Sequence, residues 1–184
     1  MTPKTQASVD FREAVFELSK TMPFARDFIN SGRLSQPYQY IGSSLVSEDD
    51  ISFCSYGILP GQSILDAPIF IGRKQTWLID QIAIGFSLVA FVDEEKTAIS
   101  ITKYLDEVCR QLDLVEQFLV VTSKRLNGRS TKFLCDTSGL AFERWAASDG
   151  TIYLVRPDHH IAARWKATPT ISELKKAYRK SISL

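Results

Sequence analysis

Tyr153-Leu154-Val155-Arg156-Pro157-Asp158-His159-His160-Ile161-Ala162-Ala163-Arg164-Trp165 is the stretch that decides the fold. Two apolar runs flank Pro157-Asp158-His159, and such a break between β-prone segments predicts an antiparallel hairpin. Its strands are expected over Thr151–Arg156 and His160–Trp165. Thr170 or Ser172 then caps a basic amphipathic helix running to about Ile182, whose Lys175, Lys176, Arg179 and Lys180 read as a solvated face that complements the helix dipole. Upstream, Phe86 to Val92 is a run of strand length, apolar but for Ser87, as expected for a central strand covered on both faces. Thr97 to Leu112 follows with Ile101, Tyr104, Leu105, Val108 and Leu112 on one side, a helical spacing. Val115 to Val121 reads as the next buried strand. A shorter helix over about Ser138 to Ala147 leads through Ser148-Asp149-Gly150 into the hairpin. The order β-α-β-α-β-β-α predicts a mixed sheet with helices on both faces.

That order is thioredoxin-like, but the chemistry of that fold is missing from the sequence. Its nucleophilic thiol belongs at the first strand-to-helix turn, where the helix N-terminus favours thiolate. Here the turn reads Asp93-Glu94-Glu95-Lys96, with three carboxylates and no Cys-x-x-Cys. Ser148-Asp149-Gly150 stands where the fold's cis-proline would precede its third strand. Cys54, Cys109 and Cys135 sit beside Phe53, Val108 and Leu134, and are expected as small half-buried side chains. Their scattered spacing gives no metal pair. His159 and His160 are adjacent, so on a strand they point to opposite faces and are read as turn residues. Neither a G-x-G-x-x-G nor a Walker motif is present. No catalytic, cofactor-binding or metal-binding residue is therefore assigned.

The N-terminal part is different. Asp10 is the expected cap of a helical arm in which Phe11, Val15, Leu18 and Met22 form an apolar stripe. Pro23 breaks that helix or opens a second one, Phe24 to Ile29 continue the pattern, and Asn30-Ser31-Gly32 stops it. From Arg33 to about Arg73 no periodicity persists, and the segment reads as a connector packed along a surface, with short strands expected around Ile51–Tyr56. The expected division is an arm and connector over 1–45 and a thioredoxin-like domain over 46–184.

Composition narrows the classes of function. The chain has 184 residues, 22 basic and 21 acidic, for a net charge of +1, and 45% of its residues are hydrophobic. That balance carries no electrostatic footprint for nucleic acid. The longest apolar run, Ile82 to Val92, is far short of the roughly 20 residues that cross a bilayer. The polar segment Met1 to Asp10 and the odd, dispersed cysteine count lead to an expectation of a cytoplasmic protein without membrane association.

Three segments together resemble one family. Asn30-Ser31-Gly32-Arg33-Leu34-Ser35, with Pro37, Tyr40 and Ser44-Leu45, looks like the segment leaving the flavin-containing part of FAD-dependent aromatic-ring hydroxylases. Pro60-Gly61 and Asp66-Ala67-Pro68 are similar to the Pro-Gly-x-Arg-Ala-Pro stretch that opens their C-terminal domain. Gly85 to Phe91 and Tyr153 to Trp165 look like that domain's first strand and late hairpin. The resemblance, to the phenol-hydroxylase type, spans about Phe24 to Ile182. It departs at Gln62 to Leu65, which replace the family's arginine region.

The resemblance implies a thioredoxin-like C-terminal domain without its redox site, in a parent that uses FAD and NAD(P)H to hydroxylate an aromatic ring. None of the family's catalytic residues maps onto these positions, and no cofactor is expected in this chain itself. The implied role is a non-catalytic structural and oligomerisation module, as a fragment or a separately encoded relative, with an FAD-binding and substrate module as partner in cis or trans. Phe11, Val15, Leu18, Met22 and Phe28 are expected to drive self-association. Two alternatives remain: a single-cysteine thioredoxin-fold enzyme using Cys54, and a carrier of small aromatic ligands with a cleft around Trp77, Trp145 and Trp165.

Overall fold

The computed structural model describes residues 5–25, 37–112, 115–124 and 133–183. The chain forms two compact units, Met1–Pro37 and Tyr38–Leu184.

In the first unit, helix α1 spans Gln6–Thr21. Thr5, not Asp10, is its N-cap: the Thr5 hydroxyl accepts from the Ser8 amide. Asp10 lies one turn inside, where its carboxylate accepts from Gln6 Nε2 at 2.8 Å. A hydroxyl placed before a first turn of Gln, Ala and Ser starts the helix earlier than the apolar stripe suggests. Met22 closes α1, and residues 23–25 resume helical geometry behind Pro23, whose missing N–H is harmless at a first position. No residue of α1 is buried; Phe11 is 68%, Leu18 45% and Met22 46% exposed. Phe28 and the Asn30-Ser31-Gly32 stop lie outside the described residues, as does the Phe24–Ile29 pattern beyond Ala25.

The second unit is built on a seven-stranded mixed sheet. Its strands are β1 (Pro68–Ile71), β2 (Lys74–Trp77), β3 (Phe86–Val92), β4 (Val115–Thr122), β5 (Phe133–Cys135), β6 (Thr151–Val155) and β7 (Ile161–Trp165). Their order is β2-β1-β5-β4-β3-β6-β7. β3 runs parallel to β4, and β4 to β5, whereas β6 and β7 are antiparallel to their neighbours. Every residue of β3 is buried, which is why its sequence shows no alternation.

Helices α2 (Glu95–Gln111) and α4 (Ile171–Ser181) cover one face of the sheet. Ala98, Ile101, Leu105 and Val108 of α2 and Leu174, Ala177 and Tyr178 of α4 close over Leu88, Ala90 and Val92. The short α3 (Leu140–Arg144) and the segment around Phe53, Ile58 and Ile64 cover the other face, over Val89 and Phe91. Helices thus lie on both faces, and the chain is a thioredoxin-like mixed α/β domain preceded by a helix.

Four local expectations are corrected. Ile51–Tyr56 holds no strand; Ile51–Phe53 is one 3₁₀ turn, because Asp50 Oδ1 accepts from Ser52 N and Oγ, and Cys54 and Ser55 are left-handed at φ 49° and 63°. Strands β1, β2 and β5 arise where no periodicity announced them; they are three or four residues long and depend on distant partners. The helix expected over Ser138–Ala147 shrinks to α3, since Asp136 Oδ2 draws in the Ala141 and Phe142 amides at 2.7 and 3.1 Å and Ala146 turns left-handed. The return strand starts at Ile161 rather than His160, after His159 at φ 59°.

Candidate functional site

The end of β3 leads into α2 through Asp93 and Glu94, and the N-terminal amides of any helix need acceptors. Glu94, the capping residue, makes no side-chain cap. The acceptor comes instead from Asp149, in the turn before β6. Its Oδ1 takes Asp93 N at 2.7 Å and Glu94 N at 3.4 Å, and its Oδ2 takes the Thr97 hydroxyl at 2.8 Å. Gly150 holds this turn in place, at φ 88° and with its amide on Phe91 O at 2.9 Å. A fixed carboxylate thus caps the first strand-to-helix turn, whose own residues Asp93-Glu94-Glu95-Lys96 carry no thiol. Asp149 offers an acceptor and a negative charge there, and neither supports thiol chemistry. Its signal in the sequence is faint: an Asp between Ser and Gly just before a buried strand.

The cysteines are dispersed. Cys54 is exposed, Cys109 partly buried and Cys135 buried. The expectation of a half-buried Cys54 fails because the left-handed turn after Phe53 lifts it to the surface. His160 turns Nδ1 to Asp158 O at 2.9 Å and Nε2 to Tyr38 O at 3.3 Å. Among the described residues no group of three or more His, Cys, Asp or Glu side chains could hold a metal ion. The three tryptophans do not share a cleft. Trp145 is fully buried on one face, Trp165 packs against the cluster on the other, and Trp77 is half exposed on the far edge strand. Six strand spacings of about 4.8 Å separate β2 from β7.

The densest polar constellation lies on the β6–β7 hairpin. Arg164 is 1% exposed, and an unpaired guanidinium there would be costly. Its Nε and Nη2 bind Asp49 Oδ1 and Oδ2 at 2.6 and 2.8 Å, a bidentate pair, and Nη1 donates to Tyr56 O at 2.5 Å. The guanidinium also lies 3.9 Å from the centre of the Phe53 ring. Burial pulls the Arg164 pKa down, but the Asp49 carboxylate and the Tyr153 hydroxyl outweigh it and the net shift is upward. Burial also pushes Asp50 up; hydrogen bonds from Lys166 N and Ser52, with the Arg164 charge, reverse this and hold it below the usual carboxylate range.

Beside this pair, Tyr153 donates to Trp145 O, Trp145 Nε1 donates to Leu65 O at 2.8 Å, and Arg144 reaches Asp66 O. Burial raises the Tyr153 pKa to about 12. Gly57 lies so close to this cluster that a Cβ would sit 2.6 Å from that of Ala146. Each group is consumed internally, so the constellation is a clamp that seals 49–66 over the sheet. Sequence reading missed it because its two halves, Asp49 and Arg164, are 115 positions apart.

Taken together, these features define the class: a thioredoxin-like domain whose first strand-to-helix turn is capped by its own carboxylate. No family profile matches the sequence, and neither does any curated protein sequence. Solved structures do share its fold. One is the flavin-dependent monooxygenase PieE with FAD and substrate, at a TM-score of 0.62 and 18% identity, over 98% of this chain and 30% of that one. Another is the ternary complex of aklavinone-11 hydroxylase with FAD and aklavinone, at 0.58 and 18%, over 81% and 27%. The substrate-free rebeccamycin biosynthetic enzyme RebC gives 0.53 and 18%, over 97% and 29%. The chain thus spans less than a third of the length of these proteins.

Proposed function

We propose that this chain is the C-terminal, non-catalytic domain of an FAD- and NAD(P)H-dependent aromatic hydroxylase, either as part of a longer polypeptide or beside a separate flavin module. One observation carries the reading: 81–98% of the chain is matched by about three tenths of a flavin-dependent monooxygenase, an FAD-bound hydroxylase and the rebeccamycin biosynthetic enzyme RebC. The filled helix terminus at Asp149 supports it, since a carboxylate there suits a structural part better than a redox enzyme. The domain stabilises and positions its parent, and FAD and the aromatic substrate are bound by the other module.

The arm has a role in this reading. Phe11, Leu18 and Met22 lie on one stripe of α1, and leaving large apolar side chains wet costs roughly 1.5–3 kcal/mol each. The stripe joins a second copy of the chain. Sedimentation equilibrium and FAD equilibrium dialysis on the full chain test both parts. The expected result is a dimer that dissociates with Phe11→Asp and Leu18→Asp and binds no FAD by itself. Tight FAD binding, or NAD(P)H oxidation by this chain alone, would overturn the reading. A monomer with an unchanged mass in the double variant would remove the arm's role.

A further inference from the structure

Helix α4 carries a charge arrangement that neither the clamp nor the reading above uses. Lys175 and Arg179, Lys176 and Arg179, and Lys176 and Lys180 are like-charged neighbours three or four positions apart, a spacing that destabilises a helix. The helix dipole favours Arg179 and Lys180 in the last turn but does not reach back to Lys176. Lys175 donates to Gln111 Oε1 at 2.8 Å. For Lys176, Arg179 and Lys180 no ion pair forms among the described residues.

Three of the four carboxylates that share a groove with Lys176 and Lys180 are already committed; Glu48 is the fourth and makes no ion pair among the described residues. Asp49 is held by Arg164, Asp50 by Ser52 and the Lys166 amide, and Glu173 by Thr170 in a capping box. Hydrogen bonds from the Thr170 side chain and amide hold the Glu173 carboxyl below its usual range. Three grooves meet along this face. One of about 330 Å³ lies between α4, Ser47–Asp50 and Trp165; one of about 520 Å³ runs past Ile41, Ser44 and Pro60; one of about 470 Å³ follows the helix itself. Lys180 borders all three.

We propose that this face of α4 is a docking surface for an acidic segment of a partner protein, whose Asp or Glu side chains pair with Lys176, Arg179 and Lys180. The charge of the groove that follows the helix selects that occupant: Ser172, Lys175, Lys176, Arg179 and Lys180 line it with no carboxylate, so carboxylates complement it. Glu48, Asp49 and Asp50 line the adjoining groove and confine an anionic ligand to the length of the helix, which suits a short acidic segment and not an extended nucleic-acid backbone.

The test is a titration of the isotopically labelled full chain with a hexaglutamate peptide at low ionic strength, read by amide chemical shifts. Shifts confined to α4 and Ser47–Asp50, and an apparent Kd that rises with added salt, are expected. Lys176→Glu with Lys180→Glu should weaken binding roughly five- to tenfold, the scale of two surface ion pairs. Lys176→Gln with Lys180→Gln serves if the reversed charges disturb folding, which circular dichroism reads. Shifts scattered over the surface, an unchanged Kd in a folded variant, or tighter binding of a short single-stranded DNA of equal charge would overturn the proposal.

Discussion

Arg164 shows how one side chain can fix the path of a distant segment. A guanidinium cannot shed its charge, so wherever it is buried the chain must bring it a carboxylate, and Asp49 comes with the whole turn that follows it. Arg164→Ala should therefore lower the unfolding free energy by about 3 kcal/mol in urea, and Arg164→Lys should recover only part of it because an ammonium cannot form the bidentate pair. A loss below about 0.5 kcal/mol, the scale of a surface pair, would contradict the clamp. Tyr153 gives a pH dependence. Its folded pKa is raised from 10.0 to about 12, so its contribution is complete below pH 10 and is lost as pH rises towards 12. That loss amounts to roughly 3 kcal/mol. Urea midpoints measured across this range should fall steeply for the native chain and less for Tyr153→Phe. Tyr104, raised to about 12 by burial and the Glu173 charge, adds a parallel decline in both proteins.

At the scale of elements, β3, α2, β4, the β6–β7 hairpin and α4 were legible in the sequence because each carries its own pattern. β3 is an apolar run broken only by Ser87, α2 has apolar positions at helical spacing, and α4 has a cap candidate in Thr170 or Ser172 before a basic amphipathic run, Thr170 proving to be the cap. β1, β2 and β5 had no such signal. Lys74, Gln75 and Thr76 become a strand because β1 pairs with them, and Phe133–Cys135 because β4 and β1 lie on either side. Asp149 belongs to the same class, since it caps a helix that begins more than 50 positions earlier. Asp149→Ala should destabilise the domain by about 1 kcal/mol and speed amide exchange at Asp93 and Glu94. Unchanged exchange at both amides would mean that this carboxylate does not hold the helix terminus.

For the molecule as a whole, the sequence pointed to a thioredoxin-like domain without redox chemistry, and the seven-stranded sheet bears out its fold. Function was less legible: the features that bear on it, a capped helix terminus, a sealed clamp and an apolar stripe on α1, rest on contacts between distant residues or on surface exposure and carry no sequence motif. Among the described residues no helix is long and apolar enough to cross a membrane. The most direct measurement is the native mass and visible absorbance of the protein isolated from its own source. A flavin spectrum travelling with this chain is expected, in one longer polypeptide or in a complex with a flavoprotein. A colourless 20.7 kDa chain with no flavoprotein attached would contradict it.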